Sequence, residues 1–169
     1  MANPSADRNC GSCTLCCKLY HVPEIAKAAG KWCQHCVTSK GCTIYTERPQ
    51  PCRDFLCIWM QDAGLPDDWK PNQSKMIASL SEATGFVHVR CDPSNPNIWR
   101  TKSRHIFLRN WSKQLLERGV HLLVLIGEEA YVIMPDQDVA LGRMNPDQGF
   151  ILKRTLGPNG MIYEVTTSK

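Results

Sequence analysis

Along the second half of this chain the apolar positions fall into readable rhythms. Over residues 75–80 they run almost together, and over 85–91 they alternate as Phe86, Val87, His88, Val89, Arg90, the period of two that a strand requires. Over 101–118 the period lengthens to that of a helix. Leu108, Trp111 and Leu115 fall on one face and Gly119 marks the stop, which predicts the one long helix. Residues 121–126 and 129–134 flank Gly127-Glu128 and predict a hairpin. Residues 151–155 and 161–165 flank LGPNG and predict a second.

The first half has no such rhythm. Residues 1–9 read as a polar, frayed tail. CGSCTLCC at 10–17 reads as a tight loop, too dense in cysteine for a regular element. VPEIAKAAG at 22–30 predicts a short helix, with Pro23 in its first turn and Gly30 at its end. Residues 42–45 suit a short strand. A helix or extended piece from Arg53 carries Phe55, Leu56, Ile58 and Trp59 inward. DAGLPDDWKPNQS at 62–74 is the linker-like stretch. The predicted organisation is a cysteine-rich region at 1–61, a linker-like loop at 62–74 and an α+β region of unassigned role at 75–169. Its fold class is α+β, with antiparallel strands and one long helix packed against a loop-rich region.

Composition sharpens the picture in one place. With 169 residues, 43% hydrophobic and 21% charged, the chain has enough apolar surface for a core without covalent staples. No run approaches the roughly 18 apolar residues of a membrane helix. The opening MANPSADRNC lacks an apolar signal core, so the expected compartment is the cytosol, where thiols stay reduced. Yet the chain has ten cysteines, and all but Cys91 lie before residue 58. Buried core thiols would not bunch in this way, and disulfides would need export. Metal ligation is the remaining explanation.

The spacing supports it. Cys10, Cys13 and Cys16 are separated by two residues each, and Cys17 follows at once. A two-residue gap lets the chain turn so that both sulfurs reach one ion at about 2.3 Å. The pairs Cys13/Cys16 and Cys33/Cys36 stand 16 residues apart, within a known zinc pattern. Cys42, Cys52 and Cys57 add three thiols. Nine are too many for one tetrahedral ion, and neighbours such as Cys16 and Cys17 diverge, so two adjacent centres or a cluster are expected. The formal charge of +4 then gives no argument for nucleic acid, since eight thiolates on two zinc ions would cancel it.

Arg48, Arg53 and Lys18 sit beside the cysteines and are candidates to offset thiolate charge. His35 is centred in its Cys-x2-Cys loop, where a side chain usually points away, and His21 is similarly placed outside the ligand set. Cys91, alone in a strand-like run, reads as a buried core thiol. Zinc is the leading metal and iron or an iron–sulfur cluster the alternative, because thiolate suits both. The ferredoxin run would continue with three residues and Cys-Pro, whereas here the fourth cysteine is immediate.

CGSCTLCC at 10–17 followed by CTIYTERPQPCRDFLC at 42–57 resembles the CxxCxxCC, or YkgJ-type, cysteine-cluster family of zinc- or iron-chelating domains. Cys42, Ile44, Tyr45, Arg48, Pro49, Cys52, Arg53, Phe55 and Cys57 match that family's second block position by position. The resemblance covers residues 10–60 and implies Cys10, Cys13, Cys16, Cys17, Cys36, Cys42, Cys52 and Cys57 as ligands. Cys33 is an addition to the minimal pattern. One enzyme sharing the motif methylates flagellin lysines and is linked to an iron–sulfur centre, so the resemblance also implies a redox or methyl-transfer-related alternative.

Other chemistry is thin. The chain has no Gly-rich phosphate loop, no HExxH and no GxSxG, and His105 and His88 have no carboxylate partner legible in sequence. Lys102, Arg109 and Lys113 share a face of the predicted helix, with Arg104 and Arg118 nearby. The ordinary reading of such a face is a solvated one, and nucleic acid is not an expected partner. The partners expected are metal ions.

Overall fold

A computed structural model describes residues 8–144, 149–158 and 160–167. The fold is α+β, as its patterning predicts. Its centre is a five-stranded sheet of β3 (Met76–Leu80), β4 (Val87–Cys91), β5 (Leu122–Ile126), β6 (Glu129–Ile133) and β7 (Asp138–Arg143), in that spatial order. Before it come five short pieces of the cysteine-rich half. These are helix α1 (Leu15–Leu19), the two-stranded β1 (Cys36–Val37) and β2 (Gly41–Cys42), and helices α2 (Gln50–Asp54) and α3 (Ile58–Gln61). Helix α4 (Pro71–Ser74) leads into the sheet, α5 (Lys102–Leu116) is the long helix, and β8 (Phe150–Gly157) pairs with β9 (Gly160–Thr167).

The sheet is mixed, not wholly antiparallel as expected. β4 and β5 run parallel, Val87 opposite Leu122 through Arg90 opposite Leu125. A parallel pair needs a crossover of a dozen or more residues, and α5 supplies it. Helix α5 begins after Thr101, whose backbone is extended, and ends on Gly119 at φ +72°. There Gly119 donates to the Leu116 carbonyl and Val120 to that of Leu115, the paired bonds of a left-handed glycine cap. Its buried face carries Leu108 and Ser112, with Trp111 and Leu115 packed beside them. The Ser112 hydroxyl donates to the Ile133 carbonyl on β6.

Strand alternation then sorts the sheet's residues to two faces. Leu122, Val124 and Ile133 pack with Leu108, Trp99, Trp59 and Trp69. Leu123, Leu125, Val132 and Met134 pack on the other side with Phe86, Phe150 and Leu152. The β5–β6 hairpin turns at Gly127, φ +60°, where predicted. The second hairpin extends further than predicted, and Asn159 of its LGPNG turn lies outside the described residues, as do residues 1–7 of the expected tail.

Three first-half expectations, over 10–17, 22–30 and 42–45, are corrected. CGSCTLCC is not all loop, because Cys16 and Cys17 lie in α1. The helix expected over 22–30 is a single 3-10 turn, Pro23–Ile25, closed by Ala26 at φ +50° and a bridge between Val22 and Lys27. An isolated helix of that length has little stability of its own, and Lys27 is drawn inward instead. The strand expected at 42–45 is only the end of β2, followed by the 3-10 turn Tyr45–Glu47. In the 62–74 stretch Leu65, Trp69, Pro71 and Ser74 are all buried, so these residues are built into the core.

Candidate functional site

Two Cys-x2-Cys turns have the same backbone closure. Cys13 donates its N–H to the Cys10 carbonyl at 2.8 Å, and Cys36 to that of Cys33 at 3.0 Å. Gly11 adopts φ +49° inside the first turn. A third bond, from the Cys33 N–H to the Cys17 carbonyl at 3.0 Å, joins α1 to the second turn. Cys36 then faces Cys42 across the β1–β2 pair. Gly41 beside it has φ +124°, and a Cβ there would stand 3.4 Å from the Gly11 carbonyl. The two cysteine loops therefore approach backbone to backbone.

Arg8 secures the remaining segment. Its guanidinium donates to the carbonyls of Trp59 (2.8 Å), Asp62 (2.7 Å), Ala63 (3.2 Å) and Leu65 (2.5 Å) and lies over the Trp59 ring. This clamp holds the chain just before Cys10 against the chain just after Cys57. Cys57 caps α3, accepting the Met60 N–H at its carbonyl, and Cys52 lies within α2.

These pieces converge on one cavity of about 270 Å³. Eight cysteines line it: Cys10, Cys13, Cys16, Cys17, Cys33, Cys42, Cys52 and Cys57. Cys36, the ninth, is not part of the lining and shares a hydrogen bond with the Cys17 thiol. His21 and His35 also line the cavity, as do Tyr20, Phe55, Trp59 and Ile77. Among the described residues no carboxylate does, and Lys27, Arg48 and Lys70 are the charged residues of the wall. Among the described residues no three His, Cys, Asp or Glu side chains stand close enough to chelate one ion as they are. The donor set is soft sulfur in a cationic, carboxylate-free setting, which suits a thiolate-bound metal in chemistry though not in ready-made geometry.

The thiols fall into two electrostatic groups. Burial pushes Cys57 up to about 11; the backbone N–H of Met60 opposes this, and Cys10 and Cys13 add to it. Cys10 is raised by burial and by Cys13, against the pull of Arg48, Tyr45 and Lys70. In the second group Cys17 is raised by its hydrogen bond with the Cys16 thiol, then by burial. Burial and Cys17 push Cys36 up to about 11, and Cys52 is raised by burial, Cys17 and Cys33. Burial and neighbouring thiols thus favour the neutral form of Cys10, Cys17, Cys36, Cys52 and Cys57.

The cations differ from those read in sequence. Arg48 stands over the Tyr45 ring and acts on Cys10 and Cys52. Lys18 turns away to Asp92 (2.6 Å) and Ser94 (2.9 Å), tying α1 to the end of β4, and Arg53 bonds Gln50. Lys27 and Lys70 escaped notice because only the tertiary fold brings them to the thiols. Cys91 lies in β4 away from the cavity, 2% exposed, and burial with Asp92 pushes it up to about 12.

His105 has a carboxylate partner after all. Its Nε2 is 2.9 Å from both oxygens of Asp138, which Arg109 also approaches at 3.5 Å. The residues lie 33 positions apart, beyond any local motif. The group ties α5 to β7, and it draws Arg109 out of the basic face expected on the helix.

No protein-family model matches the chain, and no curated protein or solved structure matches it significantly. Among the described residues no helix is long and apolar enough to cross a membrane.

Proposed function

We propose that residues 10–57 bind metal ions through clustered thiolates, in two neighbouring centres. The observation that carries this reading is the convergence of eight thiols from separate segments on one carboxylate-free cavity. Cys13 acts on Cys10, both act on Cys57, and the three form the nucleus of the first centre. Cys16, Cys17, Cys33, Cys36 and Cys52 form that of the second, with Cys42 paired to Cys36 across β1–β2. Binding draws the sulfurs inward from the cavity wall and releases their protons. The resemblance to the CxxCxxCC family supports the same residues except Cys33, which lies outside its pattern.

Zinc is the preferred metal, in a structural or metal-handling role in the cytosol. Thiolate-bound zinc contributes about 10–16 kcal/mol to folding in small domains at neutral pH, more than such short helices and a two-residue strand pair supply. An iron–sulfur centre with a redox or methyl-transfer-related role is the second reading. The cavity, at about 270 Å³ larger than a single ion needs, accommodates a cluster as well as two ions. Elemental analysis of native, untagged chain purified without oxygen separates the two. About two zinc per colourless chain supports the first reading. A brown protein with iron and absorption near roughly 400 nm supports the second. A chain without stoichiometric metal refutes both.

A further inference from the structure

Lys27 occupies an unusual position for an ammonium. The residue is 6% exposed and lines the thiol cavity. Its Nζ donates to the carbonyls of Lys18 (2.8 Å) and Tyr20, the two residues that bracket the end of α1. No carboxylate of the described residues lies within ion-pair distance of it. A buried charge without a counter-charge is costly. The groups within its electrostatic reach that could carry negative charge are the thiols of Cys17, Cys33, Cys16 and Cys52, in that order of influence. Cys16 and Cys17 lie in the same helix, α1, whose end the ammonium holds.

We propose that Lys27 is the built-in counter-cation of the second thiolate centre, a positioning residue that offsets its negative charge once metal is bound. The inference rests on the metal reading above and adds a residue to it. Four thiolates on a divalent ion leave a net charge of −2, which needs a nearby cation in a wall of low polarity. The two carbonyls fix the ammonium, so the cation is already in place when the metal arrives. Lys18, the base adjacent to the cysteines in sequence, is committed to Asp92 instead.

Two variants of the full chain separate charge from structure. Lys27→Gln keeps a hydrogen-bond donor and loses the charge; Lys27→Arg keeps the charge. Each is loaded with zinc alone, its affinity measured by competition with a chromophoric chelator, and its thermal midpoint recorded with and without the metal. Lys27→Gln should weaken one of the two zinc sites by about 10–100-fold, the usual cost of losing such a partner. It should also shrink the zinc-induced rise in midpoint, while Lys27→Arg retains most of both. Comparing the rise cancels any loss of stability shared by the metal-free and loaded states. Unchanged zinc affinity in Lys27→Gln, or equal weakening in both variants, overturns the role given to Lys27 and leaves the metal reading standing. A wild-type chain that takes up no zinc and carries no iron overturns both.

Discussion

The backbone N–H of Cys33 donates to the carbonyl of Cys17 at 3.0 Å. That one bond brings the end of the first cysteine run to the start of the second, and it does so through backbone groups, without using either thiol. The Arg8 clamp does the same for Cys10 and Cys57. The scaffold thus brings sulfurs from distant segments to the wall of one cavity.

The two groups of thiols should be separable by substitution. Cys57→Ser removes a member of the first group and is expected to cost one metal ion per chain, measured by elemental analysis. Cys91→Ser, in the core of β4, is expected to leave metal content unchanged. It should lower stability in urea by about 1–3 kcal/mol, the cost of a hydroxyl left in an apolar site. Equal metal loss in both variants would contradict the assignment.

Arg8→Ala removes four bonds to carbonyls at the junction of the first cysteine turn with α3. Charge-assisted hydrogen bonds are worth about 1.5–3 kcal/mol where they are sheltered, and these are partly exposed, so a loss near the low end of that range is expected in denaturant titration. Weaker metal binding should accompany it, because Cys10 and Cys13 are no longer held against Cys57. A variant with wild-type stability and affinity would show the clamp to be idle.

Gly41→Ala tests the close approach of the two cysteine loops. At φ +124° an L-residue is strained whatever the space, and its Cβ would stand in contact with the Gly11 carbonyl at 3.4 Å. Reduced metal uptake together with a lower thermal midpoint is the expected result. Gly30→Ala is the comparison: it too has positive φ, but nothing stands within 4 Å of its Cβ, so metal uptake should be retained.

His121 predicts a pH dependence away from the thiols. Burial lowers its affinity for a proton, and Arg154 lowers it further; its ring packs against Phe86 and Phe150. The folded state therefore binds fewer protons than the unfolded one below the ordinary histidine value of about 6.5. Stability is fully present above that value and falls as pH drops below it. Comparing urea midpoints at several pH values for wild type and His121→Phe should show a shallower slope in the variant. An identical slope would remove His121 from the account.

The parts of this fold that were legible in sequence are those set by local pattern. Leu108, Trp111, Leu115 and Gly119 specify α5 and its end without help from elsewhere, and Gly127 specifies its turn. β7 was missed because Asp138–Arg143 has Gly142 inside it and is only partly buried, so alternation is weak. The short helix read over 22–30 failed because Lys27 gains two carbonyls and the thiol cavity by turning inward, which outweighs helix propensity in so short a segment. The nine clustered cysteines were visible from spacing alone. Their division into groups was not, because it depends on which loops meet, and that is decided by Arg8, Gly41 and the bond from Cys33 to Cys17.

X-ray absorption at the metal edge of native, untagged protein tests the central claim most directly. The account predicts a coordination shell of sulfur alone, at about 2.3 Å for zinc. A shell dominated by nitrogen or oxygen, or no edge at stoichiometric intensity, would contradict it.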